Sequence, residues 1–194
     1  MANRFLYLAR HGAAVDDGVL SEVGRQQATL LGERLRDVPL SAIHHGPLPR
    51  ARETADLVAA CAPHVPTYSS DLLGDYLPAI PDGNVLPADL IASYSAADLA
   101  DGPSRASAAI ERHAVPAEQD THELIVTHNF LIAWFVRHAL DAPPERWPGL
   151  NQGNCALTVI LYRPRRPPSL LVFNDMTHLP PPLRWTGFPQ ELRV

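Results

Sequence analysis

Residues 4–12 read Arg4-Phe5-Leu6-Tyr7-Leu8-Ala9-Arg10-His11-Gly12: a short apolar run that breaks abruptly into two basic residues and a glycine. Such a run, bounded by polar residues and carrying aromatic content, reads as a buried β-strand. A second run, Glu123-Leu124-Ile125-Val126-Thr127, also ends in a histidine, His128. Ligands of open α/β sheets bind beyond the carboxyl ends of their strands, so both histidines are expected at the edge where chemistry occurs.

Working outward, Ser21 is placed to cap a helix from about Glu22 to Arg36. Leu40 to His45 reads as a second strand, and Pro49 to Ala62 as a helix with proline in its first turn. Residues 63–88 are rich in Pro, Gly, Ser and Asp and read as irregular. Weak helical patterns follow at 87–95 and 104–117, and a stronger one from Asn129 to Leu140. Cys155 to Tyr162 and Ser169 to Phe173 read as late strands separated by a basic, Pro-rich turn, Arg163 to Pro168. The tail from Thr177 is expected to be irregular. Strands alternating with helices predict a three-layer α/β/α sandwich with a largely parallel central sheet. The 194 residues fit a single domain, with an irregular excursion at about 63–104 shaping access to the site.

Composition narrows the function classes. Hydrophobic residues make up 46% and charged residues 19%, which suits a globular chain and excludes a disordered one. The net charge of −5 argues against a nucleic-acid partner. No stretch approaches the ~20 apolar residues of a membrane span. With no signal-peptide core at the start, a cytoplasmic location is expected. Cys61 and Cys155 form no disulfide framework and match no zinc spacing. His44 and His45, adjacent on a strand, face opposite sides and do not share an ion. No metal and no cofactor are expected. Lysine is absent, so any bound anion must be held by arginine, histidine or backbone N–H groups. Biased composition accounts for that absence.

Beside His11 and His128, the stretch Arg50-Ala51-Arg52-Glu53 lies at the start of a helix, where free N–H groups and the positive dipole end attract anions. Two histidines and at least two arginines converging on a helix terminus describe an anion site, and phosphate is the natural anion.

Four segments in order, Leu8-Ala9-Arg10-His11-Gly12, Leu20-Ser21 to Gln27-Ala28, Pro47-Leu48-Pro49-Arg50-Ala51 to Thr54-Ala55, and Ile125-Val126-Thr127-His128, resemble the histidine phosphatase (phosphoglycerate mutase-like) superfamily. Asn151 to Asn154 and the tail around Asn174-Asp175 also look like its phosphatase members. The resemblance implies a histidine acid phosphatase-type phosphoric monoester hydrolase that works through a phosphohistidine on His11, independently of metal. Arg10, Arg50 and His128 would then surround the phosphoryl oxygens, with Gly12 and Asn154 as further phosphate contacts. Arg52, about 200° around the helix from Arg50, should point elsewhere. A carboxylic acid must protonate the leaving group; Asp75 is the choice, with Asp71 and Asp82 as competitors.

Departures from the family pattern are informative. Ala13-Ala14-Val15-Asp16-Asp17 lacks the Thr and Asn that many members carry there, and Gly46 stands where a Ser is common. Only Arg105 and Arg112 lie near the region where mutases bind a substrate carboxylate, so phosphatase is favoured over mutase. The alternatives are a mutase-type phosphotransferase and a non-catalytic phospho-ligand binding domain. The expected partner is a small phosphorylated metabolite or a phosphoprotein. His178 is read as packed or solvated, and Ser21, Gly24 and Gln27 as capping and packing residues.

Overall fold

The computed structural model describes every residue except Asp17, Gly83, Asn84, Pro189 and Val194, and all described side chains but that of Leu192. Six strands form one sheet: β1 (Arg4–Arg10), β2 (Ala42–His45), β3 (Thr67–Ser69), β4 (Thr121–Thr127), β5 (Leu157–Arg163) and β6 (Arg166–Asp175). Their spatial order is β3-β2-β4-β1-β5-β6. The four strands from β3 to β1 run parallel, while β5 and β6 close the sheet as an antiparallel pair. Helices α1 (Glu22–Leu35), α2 (Pro49–Ala59), α3 (Ala88–Ala92), α4 (Ala96–His113) and α5 (Asn129–Ala139) complete the fold.

The alternation of side chains along the strands builds two cores, because successive residues face opposite sides of a sheet. Leu6, Leu8, Ile125 and Ile160 face α4 and α5, packing with Ala106, Ala109, Ile132 and Phe135. Ala9, Ile43, Leu124, Val126 and Leu157 face α1 and α2, packing with Ala28, Leu31, Ala55 and Val58. Leu6 and Leu8 have no exposed surface, and each such burial contributes about 1.5–3 kcal/mol. The three-layer arrangement follows from this two-sided burial.

Ser21 caps α1 as expected, its Oγ accepting from the N–H of Gly24 at 3.1 Å. The excursion over 63–104 is more regular than its composition indicates. It contains β3, a 3₁₀ turn at Asp71–Leu73, α3 and the first half of α4. Strand β3 escapes a hydrophobic reading because all three of its residues are exposed at the sheet edge. Helix α4 starts eight residues before the expected 104. Ser95 Oγ accepts from the N–H of Asp98 and caps it, and Gly102 and Pro103 lie inside. Proline there removes one helical hydrogen bond but not the helix. Gly102 is tolerated because a Cβ would collide with the backbone of Leu77, so packing holds that turn. The late turn is tighter than Arg163–Pro168, since Arg163 already pairs with Arg166.

Candidate active site

The ladder between β1 and β4 places the two histidines side by side. Arg10 is in register with Thr127, and the N–H of His11 donates to the carbonyl of Thr127 at 3.0 Å. One step beyond the ladder, the rings of His11 and His128 have centroids 5.0 Å apart, close to the spacing of neighbouring strands. Both are buried, at 7% and 2% exposure.

His11 is held in one tautomer. Its Nδ1 lies 2.8 Å from the carbonyl oxygen of Gly12. A carbonyl can only accept, so Nδ1 carries the proton and the lone pair sits on Nε2. Arg50, in the first turn of α2, donates from Nε to that Nε2 at 3.2 Å. Its Nη2 pairs with Asp75 Oδ2 at 2.7 Å, and the same oxygen lies 3.4 Å from Nδ1 of His128. Asp75 is therefore the acid brought to the histidines. Asp71 is exposed in the preceding 3₁₀ turn, and Asp82 is exposed in the loop.

Burial depresses the pKa of His11 well below its ordinary value, helped by the nearby charges of His128, Arg10 and Arg50. Burial likewise depresses His128, with Arg50 and Arg10 adding to the effect. Both rings are thus neutral at pH 7, the form in which a histidine can attack.

Arg10 donates from Nη1 to the carbonyls of Gln152 at 3.0 Å and Gly187 at 2.9 Å, tying the strand end to the C-terminal tail. Gly12 and Asn154 lie near the histidines but have other partners. The Gly12 N–H donates to Thr54 Oγ1 at 3.0 Å, and its missing Cβ makes room for the backbone of Gly24. Asn154 donates from Nδ2 to the carbonyl of His11 at 2.8 Å and so helps fix the backbone there. In this structure each of these donors has a partner within the protein.

Other sequence-stretch residues fall outside this cluster. Arg52 is exposed and faces Asp56 across 4.0 Å. His45 donates from Nδ1 to the carbonyl of Gly46, and His178 reaches the carbonyl of Cys155. Arg105 stacks on Tyr76 and donates to the carbonyl of Asp71, and Arg112 is exposed near the end of α4. Asp16 is described, while Asp17 lies outside the described residues.

A cavity of about 300 Å³ opens over the cluster, lined by Arg10, His11, Asp75 and His128 together with Tyr94, Asn129, Phe130, Asn151 and Gly187. The last five were not among the expected site residues, although Asn151 lies in a stretch that resembles the family. Asn129 follows His128 directly, yet only the fold pairs its Nδ2 with Asn151 at 2.8 Å and its Oδ1 with the N–H of Gln152.

A family model for the histidine phosphatase superfamily (branch 1) matches residues 6–74 and 89–176. The chain belongs to that superfamily. Among its relatives is the mitochondrial serine/threonine-protein phosphatase Pgam5 of Caenorhabditis briggsae. It is 34% identical over 189 residues, covering 93% of this chain and 66% of the relative. The Caenorhabditis elegans protein of the same name is 35% identical over 190 residues with the same coverage. The chain thus spans just under two thirds of the length of these relatives. YhfR of Bacillus stearothermophilus, a solved structure, superposes with a TM-score of 0.67 at 24% identity, covering 90% of this chain and 98% of that one, and so shares the fold. The expected cytoplasmic location is corrected by these comparisons, because the relatives are named as mitochondrial proteins. A catalytic core has the same chemistry in either compartment, so its composition does not report an address. Among the described residues no helix is long and apolar enough to cross a membrane.

Proposed function

We propose that this histidine phosphatase hydrolyses phosphomonoesters through a phosphohistidine formed on Nε2 of His11. One observation carries the reading: Gly12 fixes the proton of His11 on Nδ1 and thereby leaves the Nε2 lone pair facing Arg50. In the first step that lone pair forms the N–P bond while the bond from phosphorus to the ester oxygen breaks. Arg10 and Arg50 neutralise charge on the non-bridging oxygens and the neutral ring of His128 donates an N–H to one of them, which together make the dominant contribution in phosphoryl transfer. Once Arg50 has turned to the phosphate, Asp75 takes the proton of the substrate's phosphate monoanion and passes it to the departing oxygen. In the second step water attacks phosphorus, Asp75 takes its proton and hands it to the phosphate, and the N–P bond breaks to return neutral His11, the Asp75 carboxylate and inorganic phosphate.

Arg50 has two roles in this scheme. Before substrate arrives it holds Asp75 and the nucleophile together. A phosphoryl group draws its guanidinium onto the phosphate oxygens, freeing Asp75 for the leaving oxygen. Arginine suits this exchange because its planar fork presents parallel donors. The cationic side chains meet the phosphoryl charge, so the scheme needs no metal.

The substrate class we propose is a phosphorylated serine or threonine side chain in a protein. It is supported by the names of the relatives, which are serine/threonine-protein phosphatases, and by a cavity of about 300 Å³, enough for a phosphorylated side chain. Phe130 and Tyr94 provide an apolar wall for its carbon atoms. We further propose that residues 1–194 act as one catalytic unit.

The test is hydrolysis of p-nitrophenyl phosphate between about pH 4 and 9, comparing the wild type with His11→Ala. Turnover that survives EDTA, is blocked by vanadate and disappears in the variant supports the reading. Undiminished turnover in His11→Ala contradicts it. Preference for a phosphoserine peptide over a sugar phosphate in kcat/KM tests the substrate class.

A further inference from the structure

At the end of the sheet away from the histidine pair, three residues far apart in sequence converge: His44 on β2, Glu123 on β4 and His113 in the last turn of α4. Their ligand atoms all lie within 4.8 Å of one another. His44 Nε2 is 3.6 Å from Glu123 Oε2, and the rings of His44 and His113 have centroids 5.0 Å apart. His113 is 2% exposed, and neither of its ring nitrogens has a hydrogen-bond partner among the described residues. Two unsatisfied nitrogens on one buried ring are costly, and such an exception calls for an explanation.

We propose that His44, His113 and Glu123 form a binding site for a divalent transition-metal ion of the zinc type, which clamps the end of α4 to the sheet. Two imidazoles and one carboxylate are a recognised ligand set for zinc, with a water completing the tetrahedron. Tetrahedral ligands at zinc–nitrogen distances of about 2.0–2.1 Å lie roughly 3.4 Å apart. The His44–Glu123 spacing already fits, and side-chain rotations of about 1 Å bring in His113. A cavity of about 290 Å³ at this point, lined by Arg4, Ala42, His44, Arg112, His113 and Glu123, leaves room for the water.

Two further features support the assignment. Arg4 engages Oε1 of Glu123 at 3.4 Å, which leaves Oε2 turned towards His44. Arg4 Nη1 also donates to the carbonyls of Arg112 and His113, holding the end of α4 over the site. The positive charges of Arg4 and Arg112 oppose a cation here. Glu123 offsets the first, and Arg112 extends into solvent, where screening weakens it. The inference is independent of the phosphatase reading and uses none of its residues.

The test is titration of EDTA-stripped protein with Zn²⁺, together with the visible spectrum of the Co²⁺ form. His113→Ala, His44→Ala and Glu123→Gln are compared with the wild type. The wild type should bind one Zn²⁺ per chain at micromolar concentration, give a tetrahedral cobalt spectrum and melt at a higher temperature with Zn²⁺ present. Each substitution should weaken binding at least tenfold and remove the thermal shift. Hydrolysis of p-nitrophenyl phosphate in EDTA should be unchanged. His44 and Glu123 are partly exposed, so their variants carry the test even where His113→Ala fails to fold. Absence of micromolar binding by the wild type overturns the proposal. So does wild-type affinity in the His44 and Glu123 variants, which moves the ion elsewhere, for instance to His11 and His128.

Discussion

Arg50 donates to His11 from one edge of its guanidinium, at 3.2 Å, while its Nη2 pairs with Asp75 at 2.7 Å. One side chain, fixed at the start of α2, thereby connects His11 to Asp75. It is 5% exposed, so these contacts are made away from bulk water, where electrostatic interactions are stronger.

Arg50→Lys should therefore be as damaging as Arg50→Ala. Lysine keeps the charge but cannot donate along two directions from one plane. Both variants should lose about 10²–10³ in kcat/KM on p-nitrophenyl phosphate, the size expected when one donor to the developing charge is removed. Steady-state kinetics checks this, and a Lys variant within threefold of wild type would contradict it.

Asp75→Asn should show a leaving-group dependence. An alkyl phosphate such as phosphoserine leaves as a poor alkoxide and needs the proton, whereas a nitrophenolate does not. The loss in kcat should thus be at least about tenfold greater for a phosphoserine peptide than for p-nitrophenyl phosphate. Equal losses on both substrates would remove Asp75 from the acid role.

Stability should fall as the solution is acidified below about pH 6.5. His11, His113 and His128 have folded-state pKa values depressed mainly by burial. Below the unfolded value near 6.5 the unfolded chain binds protons that the folded chain refuses, so unfolding is favoured as pH drops. Each such histidine adds a slope of up to roughly 1.4 kcal/mol per pH unit. For His113 the window runs from 6.5 down to about 3. Denaturant titrations at a series of pH values should show a slope in His113→Phe that is lower by about one proton.

Two glycines can be told apart by what surrounds them. A Cβ on Gly24 would strike the backbone of Ala13, which carries the chain away from His11, whereas a Cβ on Gly149 meets nothing within 4 Å. Gly24→Ala should cost about 1–3 kcal/mol or more through forced backbone movement, and Gly149→Ala should stay within about 0.5 kcal/mol. Thermal denaturation of the pair distinguishes packing from a general glycine effect.

The parts of the fold that were legible are those with a local physical signature. β1 and β4 are apolar runs cut off by histidine, α1 has its Ser21 cap, and α2 opens on Pro49. β3 carried no such signature, because Thr67, Tyr68 and Ser69 are all exposed. The start of α4 was hidden behind Gly102-Pro103, where tertiary packing against Leu77 overrides local preference. The structure brings His11, Arg10, Arg50, Asp75 and His128 together, and the sequence pointed to them because each sits at a strand end, a helix start or a loop acid. It did not single out Asn129, Asn151 and Gly187 as site residues, since they meet only when α5, the segment before β5 and the C-terminal tail are folded together. The trio His44, His113 and Glu123 was invisible for the same reason. Neighbouring His44 and His45 diverge across the sheet, and His44 finds its partners on two other elements.

The most direct test of the central claim is to capture the covalent intermediate. Protein mixed with a phosphomonoester and quenched within milliseconds into alkali, where an N–P bond persists, should be digested and its peptides weighed. The account predicts one added phosphoryl group on the peptide containing His11, and none in His11→Ala. A phosphoryl group on another residue, or a wild-type enzyme that turns over while His11 never carries phosphate, would contradict it.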